Sequence, residues 1–457
     1  MKTGKGVVER LASGGAAVVM AGLFVCASAA PVGTDTGKQT EETRKGAEKT
    51  TTLGAEELEA RRTRILRYFE QRRAHYQVVA TTHTKSGQVI DWIKPESQLR
   101  RGAIAAPPKE SLSHAPKEHV DNPYLETELP KALRARARNE ARAATELQLD
   151  PSARGPKGTV PVVRFDIERY VRTAKYLPDD PTRLRPKKPA PAPDSNDRYY
   201  AVWRYSGDVF GTLGRINIWD TSGPSSGDTS IAQTAVHEGQ FQSIEAGKIE
   251  WAGDGGAAKF FTFFNTNNYA TGDWIGGYDT DVDGWVQVSG AVAPGMSLAS
   301  WNSTTGGNQY SLDVEVRLWE GNWWIRAAGE WVGYYPNCKG GDAPPCDQGT
   351  LFAESGIRDK ATQIDWYGEI FDSTAPTPTS TDMGSGAFAN THWQNAAYFR
   401  NMLYVWAPAT AWWFESGSID TTDDACYTAD GPFYSSDPNW RNWFYYGGPG
   451  KEARGCR

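Results

Sequence analysis

Two short apolar segments each carry a glutamate that a half-buried strand would not ordinarily tolerate: Ser243-Ile244-Glu245-Ala246-Gly247 and Ile364-Asp365-Trp366-Tyr367-Gly368-Glu369-Ile370. A carboxylate in such a run is solvated, paired or used in chemistry. Two glutamates meeting in one cleft cannot both ionise cheaply, so one loses its proton early and the other keeps it to higher pH. The ionised member can deprotonate a water while the protonated member donates to a carbonyl oxygen or a leaving amine. Period-2 alternation puts Ser243, Glu245 and Gly247 on one strand face, and Asp365, Tyr367 and Glu369 on one face of the other. Gly247 and Gly368 beside the glutamates would leave room for a substrate backbone. An isolated strand glutamate is more often simply solvent-facing, so the reading depends on the two being paired.

Other hydrolytic machinery finds few residues. His237 and His392 are the only histidines after residue 197, and no H-E-x-x-H occurs. Gly295-Met296-Ser297 lacks the context of a nucleophile elbow. Asp279-Thr280-Asp281-Val282-Asp283-Gly284 begins like an EF-hand loop, but Gly290 stands where the bidentate acid belongs. A solvated hairpin turn is favoured there, with a noncanonical calcium staple as the alternative, and no metal or other cofactor is expected for the chemistry. Paired glutamates among many tryptophans also suit a two-carboxylate glycosidase or a non-catalytic glycan-binding β-sandwich, which peptide against glycan cleavage would separate.

The elements that must position these residues lie in an unequal chain. Of 18 Trp in 457 residues, only Trp92 precedes residue 197. Residues 198–457 hold 15 Lys+Arg against 30 Asp+Glu, and the rest holds 34 against 25. A basic, aromatic-poor part therefore precedes an acidic, aromatic-rich one. An acidic folded domain argues against nucleic acid as partner.

Residues 1–29 read as a signal peptide: Lys2, Lys5 and Arg10, then the apolar 16–25, then Ala27-Ser28-Ala29. The apolar run is too short for a stable membrane anchor, and the residues before Cys26 suit a lipoprotein box poorly. The expected location is extracellular or periplasmic. Cys338, Cys346, Cys426 and Cys456 remain after cleavage, so two disulfides are expected. Spacing permits three connectivities, and the most economical is Cys338–Cys346 with Cys426–Cys456.

Residues 30–176 read as a small α+β pro-segment, partly disordered. Residues 31–54 are polar, 56–76 carry a surface-helix pattern, 77–94 turn β-like around Ser86-Gly87, and the Ala/Arg-rich 131–147 reads as a helix. Residues 177–197 hold Pro178, Pro181, Pro186, Pro189, Pro191 and Pro193, an extended linker open to proteolysis. Residues 198–457 are mainly β, with runs at 200–205, 213–219, 230–236, 259–265, 285–292, 310–318 and 323–331. Their Gly/Asn-marked spacing predicts an antiparallel β-sandwich, followed by an irregular aromatic tail over 406–443. The basic and acidic parts should attract at neutral pH, and acidification is expected to weaken that contact and expose the linker.

Residues 198–405 resemble the catalytic domain of the neprosin family, glutamic peptidases described as prolyl endopeptidases. The resemblance rests on an ordered series of segments. They include Thr229-Ser230-Ile231-Ala232-Gln233, Ser243-Ile244-Glu245-Ala246-Gly247, Phe261-Thr262-Phe263-Phe264, Gly307-Asn308-Gln309-Tyr310, Gly321-Asn322-Trp323-Trp324, Trp366-Tyr367-Gly368-Glu369-Ile370 and Thr381-Asp382-Met383-Gly384. It implies a secreted zymogen that cleaves peptide or protein substrates after proline, with its own pro-segment as inhibitor. The family's catalytic glutamates fall on Glu245 and Glu369, and analogy makes Glu369 the water-activating base and Glu245 the acid. Gln233, Gln309 and Tyr367 are candidates to bond the developing oxyanion, and Trp366 a candidate wall for a proline ring. Lys85-Ser86-Gly87-Gln88-Val89-Ile90-Asp91 resembles part of the family's pro-domain. Plant members carry a cysteine pair after the T-G segment, whereas residues 273–283 here have none.

Overall fold

A computed structural model describes residues 54–112, 140–165, 167–168, 171, 197–221, 227–238, 241–251, 258–270, 272–298, 301–341, 344–373, 378–407, 410–435 and 437–456. The expected signal peptide, the polar stretch to residue 53, residues 131–139 of the expected helix and all but Asp197 of the linker lie outside them. Gly54–Arg457 form one compact unit.

Helix α1 (Ala55–Arg73) has Glu56 and Glu57 in its first turn and Arg72 and Arg73 in its last, matching the helix dipole at both ends. Ile65 and Phe69, one turn apart, are its buried stripe. The hairpin β1 (Val78–His83) and β2 (Val89–Ile93) follows as expected. The expected helix over 131–147 is corrected within its described part, which holds strand β3 (Ala141–Arg142) and only a one-turn helix α2 (Glu146–Leu149). Residues 310–311 of a later strand offer an edge that its neighbour does not reach, and β3 adds to it in parallel. Tertiary pairing thus overrides the Ala/Arg helix propensity. Thr145 and Gln148 then close a capping box on α2. Strand β4 (Val160–Val163) completes a three-stranded sheet, β1-β2-β4.

The rest is β, in two sheets. Its strands are β5 (Arg198–Val209), β6 (Gly211–Asn217), β7 (Thr229–Glu238), β8 (Gln242–Trp251), β9 (Lys259–Asn265), β10 (Gly276–Tyr278) and β11 (Val286–Gln287). They continue with β12 (Tyr310–Trp319), β13 (Asn322–Ala327), β14 (Glu330–Tyr335), β15 (Ala361–Phe371), β16 (Ala397–Ala407), β17 (Thr410–Trp413), β18 (Ser418–Thr421), β19 (Thr428–Tyr434) and β20 (Asn442–Gly447). The seven-stranded sheet runs β10-β9-β8-β7-β15-β5-β18, and the larger one β11-β14-β13-β12-β6-β16-β20-β19 with β17 on β16 and β3 on β12. Apart from β3, the strand pairings within both sheets are antiparallel among the described residues. Ile244, Val236, Ile364 and Trp366 on one sheet share a core with Leu312, Val314, Ile216 and Phe399 on the other.

Three strand expectations change. Only Val286–Gln287 of 285–292 pairs, and the run 323–331 breaks at Ala328-Gly329, both at positive φ. The tail expected to be irregular forms β17 to β20 with the end of β16. In β20 every residue is buried, so the run lacks the alternation that marks a half-exposed strand. Cys338 is bonded to Cys346 and Cys426 to Cys456, with Cα–Cα distances of 5.0 and 4.7 Å. No helix among the described residues is long and apolar enough to cross a membrane.

Where the N-terminal segment meets β12, Ser111 Oγ donates to Glu315 Oε2 at 2.6 Å and the Leu112 N–H donates to both carboxylate oxygens at 3.1 and 3.2 Å. Burial pushes the Glu315 carboxyl up to about 7 despite these bonds. A folded-state value above the unfolded one means stability fully present at low pH and lost as pH rises through about 7. At this contact acidification strengthens the fold, the reverse of the loosening expected from net charge. Glu315→Gln removes the ionisation, worth about 3 kcal/mol for a shift of this size. Its thermal stability relative to wild type is expected to be greatest above pH 7 and to converge on wild type near pH 4.5; a pH-independent difference would refute this.

Candidate active site

The outer face of the seven-stranded sheet carries the chemistry-bearing residues. Glu245 on β8 pairs with Ala235 on β7, and Ala235 with Asp365 on β15. Two rows along, Gly247 pairs with Gln233 and Gln233 with Tyr367; beyond them Ile249, Ile231 and Glu369 align. Directly opposite residues share a face, so both glutamates, Gln233 and Tyr367 stand on one side, separated only by β7. Glu245 and Glu369 are 6% and 4% exposed, and burial at this level demands partners.

The two glutamates have different partners. Glu369 accepts from Arg198 Nη1 at Oε1 and from Gln233 Nε2 at Oε2, the latter at 2.9 Å. Arg198 opens β5 and also lies over the Phe371 ring at 5.1 Å. Burial works against its charge, but Glu369 together with Tyr200, Tyr278 and Asp197 outweighs it and the net shift is upward. Among the described residues no cation is bonded to Glu245. Ser243 Oγ donates to its Oε1 at 2.8 Å, and Tyr367 Oη reaches its Oε2 at 3.4 Å. Asn265 Nδ2 donates to Ser243 Oγ at 2.7 Å while its Oδ1 accepts from the Tyr269 N–H. Because Ser243 receives that bond, its own hydrogen goes to Glu245 Oε1, and Oε2 is left as the oxygen that can carry a proton. Burial, then the facing Glu369, raise the Glu245 carboxyl to about 7. The arrangement is asymmetric, with one carboxylate held by a cation and one carboxyl able to keep its proton to neutrality.

Three sequence expectations are corrected. Trp366 alternates onto the opposite face, is 0% exposed and packs at a tilt against Phe414 with ring centroids 4.7 Å apart, so it belongs to the core between the sheets. Gln309 sits just before β12 on the other sheet, where its Nε2 donates to the carbonyls of Thr304 and Gly307 and fixes that loop. Gly368 also faces inward, where a Cβ would lie 2.5 Å from the Tyr446 ring. Gly247 serves close backbone packing, since a Cβ would come 2.0 Å from the Ala232 carbonyl. Arg198, Ser243 and Asn265 were not singled out for these roles from sequence.

Aromatic surface beside the glutamates comes from other residues. Phe263 pairs across from Glu245, and Tyr278 lies 4.8 Å from Phe263 and 5.0 Å from Trp251. Tyr200, opposite Glu369, lies 5.9 Å from Tyr367. In the acidic loop, Arg72 of α1 donates to Asp283 Oδ1 and to the Thr280 carbonyl, both at 2.8 Å, and pairs with Asp273 at 3.2 Å. The loop without cysteines is thus stapled by a guanidinium from the N-terminal segment. Among the described residues, no cluster of three His, Cys, Asp or Glu could hold a metal ion.

A mainly β fold thus presents two buried, differently partnered glutamates on one sheet face. Residues 226–449 match the family model described as Neprosin, and over that span the chain belongs to the neprosin family, which makes it a peptidase. It is also similar to a solved structure, the crystal structure of Scytalido-glutamic peptidase with a peptide based transition state analog. That likeness has 9% identity over 55% of this chain and 98% of the other, with a TM-score of 0.28, and carries no argument about chemistry.

Proposed function

We propose that the chain is an exported glutamic endopeptidase, made as a zymogen, in which Glu369 and Glu245 act together on a water molecule and a peptide bond. The observation that carries this reading is the division of partners: Arg198 and Gln233 on Glu369, Ser243 and Tyr367 on Glu245. Glu369 takes a proton from water, whose oxygen attacks the peptide carbonyl carbon. Glu245 gives its Oε2 proton to the carbonyl oxygen as the tetrahedral intermediate forms. Collapse breaks the C–N bond as the proton gained by Glu369 passes to the leaving amine and one hydroxyl proton of the intermediate returns to Glu245, which restores the starting protonation of both carboxyl groups. The Tyr367 hydroxyl, which donates to Glu245 Oε2 over 3.4 Å in the resting site, would turn that hydrogen to the developing oxyanion. Gln233 Nε2 is committed to Glu369, and its Oε1, buried without a hydrogen-bond partner, can accept a substrate N–H. Phe263, Tyr278 and Trp251 take over the proline-packing role first given to Trp366.

The test is a peptide pool incubated in ¹⁸O-water, with new C-termini read by mass spectrometry. Label in termini that end in proline supports both hydrolysis and specificity. Label without a proline bias removes the specificity, and intact peptides with a cleaved glycan panel would favour the glycosidase.

Activation is proposed to proceed by cleavage in the linker. Arg198, bonded to Glu369, follows residues 177–197 directly in the sequence, so the linker ends next to a partner of the base. After an acid shift, the mature N-terminus is expected within residues 177–200. N-terminal sequencing that finds a start far from this window would remove the linker from maturation.

A further inference from the structure

We infer that Tyr269 is a further catalytic residue, whose hydroxyl joins that of Tyr367 in donating to the oxyanion that forms on the peptide carbonyl. The inference rests on the peptidase reading of the glutamate pair and names a second donor for it.

The backbone at Tyr269 is unusual before any chemistry is considered. Asn268 and Tyr269 follow one another at φ 47° and 59°. Asparagine enters this left-handed region readily, but a bulky aromatic residue there is strained. Such a conformation persists only where its surroundings over-determine it, and it concentrates at working sites. Here the Asn268 N–H donates to the Phe241 carbonyl and the Ala270 N–H to the Asn267 carbonyl, both at 3.0 Å. Between them the Tyr269 N–H donates to Asn265 Oδ1 at 2.9 Å. Glycine would take the same turn without strain, so the turn alone does not explain a tyrosine.

The side chain leads to the glutamates. Its ring stacks on Phe263, with centroids 6.3 Å apart and 19° between the planes. Phe263 is the cross-strand partner of Glu245. The phenol hydroxyl thereby comes beside the Ser243 hydroxyl and stands in the field of Glu245 and Glu369. One side chain fixes both ends of this arrangement: Asn265 takes the Tyr269 N–H at Oδ1 and donates from Nδ2 to Ser243 Oγ at 2.7 Å. Tyr269 follows β9 and Tyr367 lies on β15, on opposite sides of β8. Two hydroxyls thus flank the acid, that of Tyr367 at 3.4 Å from Glu245 Oε2.

Ser243 determines what the phenol does at rest. Its hydrogen goes to Glu245 Oε1 at 2.8 Å, and Asn265 occupies one lone pair. The other lone pair is left for the Tyr269 hydrogen. Burial, then the Glu245 charge, hold the phenol protonated far above its usual range, so it serves as a donor and not as a base. Its resting acceptor is therefore a neutral hydroxyl. In the transition state a charged oxygen forms beside Glu245, and a bond to a charged acceptor is about twice as strong. The gain appears only as charge develops, which is the condition for lowering a barrier. No proton leaves the phenol; Glu245 still supplies the one that the carbonyl oxygen receives.

Tyr269→Phe tests this, because it keeps the ring, its stack on Phe263 and the backbone bond to Asn265. In the processed protein it is expected to lower kcat about 10²-fold on a proline-containing peptide, with KM and melting temperature near wild type. Both limbs of the pH–rate profile should stay in place, since the phenol does not titrate with the pair. A phosphinate peptide, whose tetrahedral centre carries an anionic oxygen, should bind the variant about 10²-fold more weakly than wild type. Unchanged kcat in the folded variant, or a rise in KM alone, would make Tyr269 a packing residue and overturn the inference. A shifted basic limb would route its effect through Ser243 to Glu245 and overturn it as well. Wild type that cleaves no peptide would remove the peptidase reading and this assignment with it. An active wild type beside an equally active variant would remove the assignment alone.

Discussion

Glu369→Gln is expected to lower kcat by about 10³-fold or more, the upper part of the range for a group that moves a proton in the transition state. The substitution keeps the side-chain volume and still offers an acceptor to Arg198 or Gln233, whose contacts define the position. Arg198 keeps 32% of its side chain exposed, so water can solvate the charge left opposite a neutral amide. The fold should therefore survive, as a near-unchanged melting temperature would show. Glu245→Gln should cost a similar factor, because an amide cannot supply the Oε2 proton. The Ser243 bond can be accepted by the new side chain, so lost activity in this variant reports chemistry and not a displaced strand. The two losses should not add in the double variant, since the pair acts as a unit. Activity persisting in either folded single variant would remove that glutamate from the mechanism.

Arg198→Met is expected to lower kcat/KM by about 10- to 100-fold, as for loss of one electrostatic partner in a buried site, and to shift the acidic limb of the pH–rate profile to higher pH. The reason is the asymmetry of the pair. With the cation beside Glu369, the shared proton resides on Glu245; without it, two neighbouring carboxyls hold the proton jointly and the base is blocked over a wider pH range. Methionine keeps contact with the Phe371 ring, so loss of packing is small. Arg198→Lys should restore part of the rate and most of the pH profile, which a purely structural role would not explain. Faster cleavage by Arg198→Met would instead make the arginine a brake on Glu369.

Much of the site could be read from residue types alone. A glutamate inside an apolar strand is conspicuous, and both were visible in the sequence, as was the alternation that carries Tyr367 with Glu369. The same alternation excludes Trp366 from that face, yet its aromatic ring invited a substrate role. Arg198 was hidden because it closes a charged, proline-rich stretch, where a cation normally means solvent. Ser243 and Asn265 were hidden because their value lies in the direction of a hydrogen bond between strands, which sequence spacing does not encode. In the fold, a strand that alternates apolar and polar residues, such as 310–319, was legible by period although most of it is buried, whereas β20, buried throughout and without that alternation, was not. Strand β3 was illegible for a different reason: its conformation is set by the free edge of β12, a partner far away in the chain.

The most direct test of the dyad is the pH dependence of kcat/KM on a single proline-containing peptide, which reports the essential groups of the free enzyme. Glu245 must be protonated to act, and its carboxyl is raised to about 7. The account predicts a rate that is sustained in mild acid and falls about tenfold per pH unit above neutrality. A rate that climbs through pH 7 into the alkaline range would contradict it.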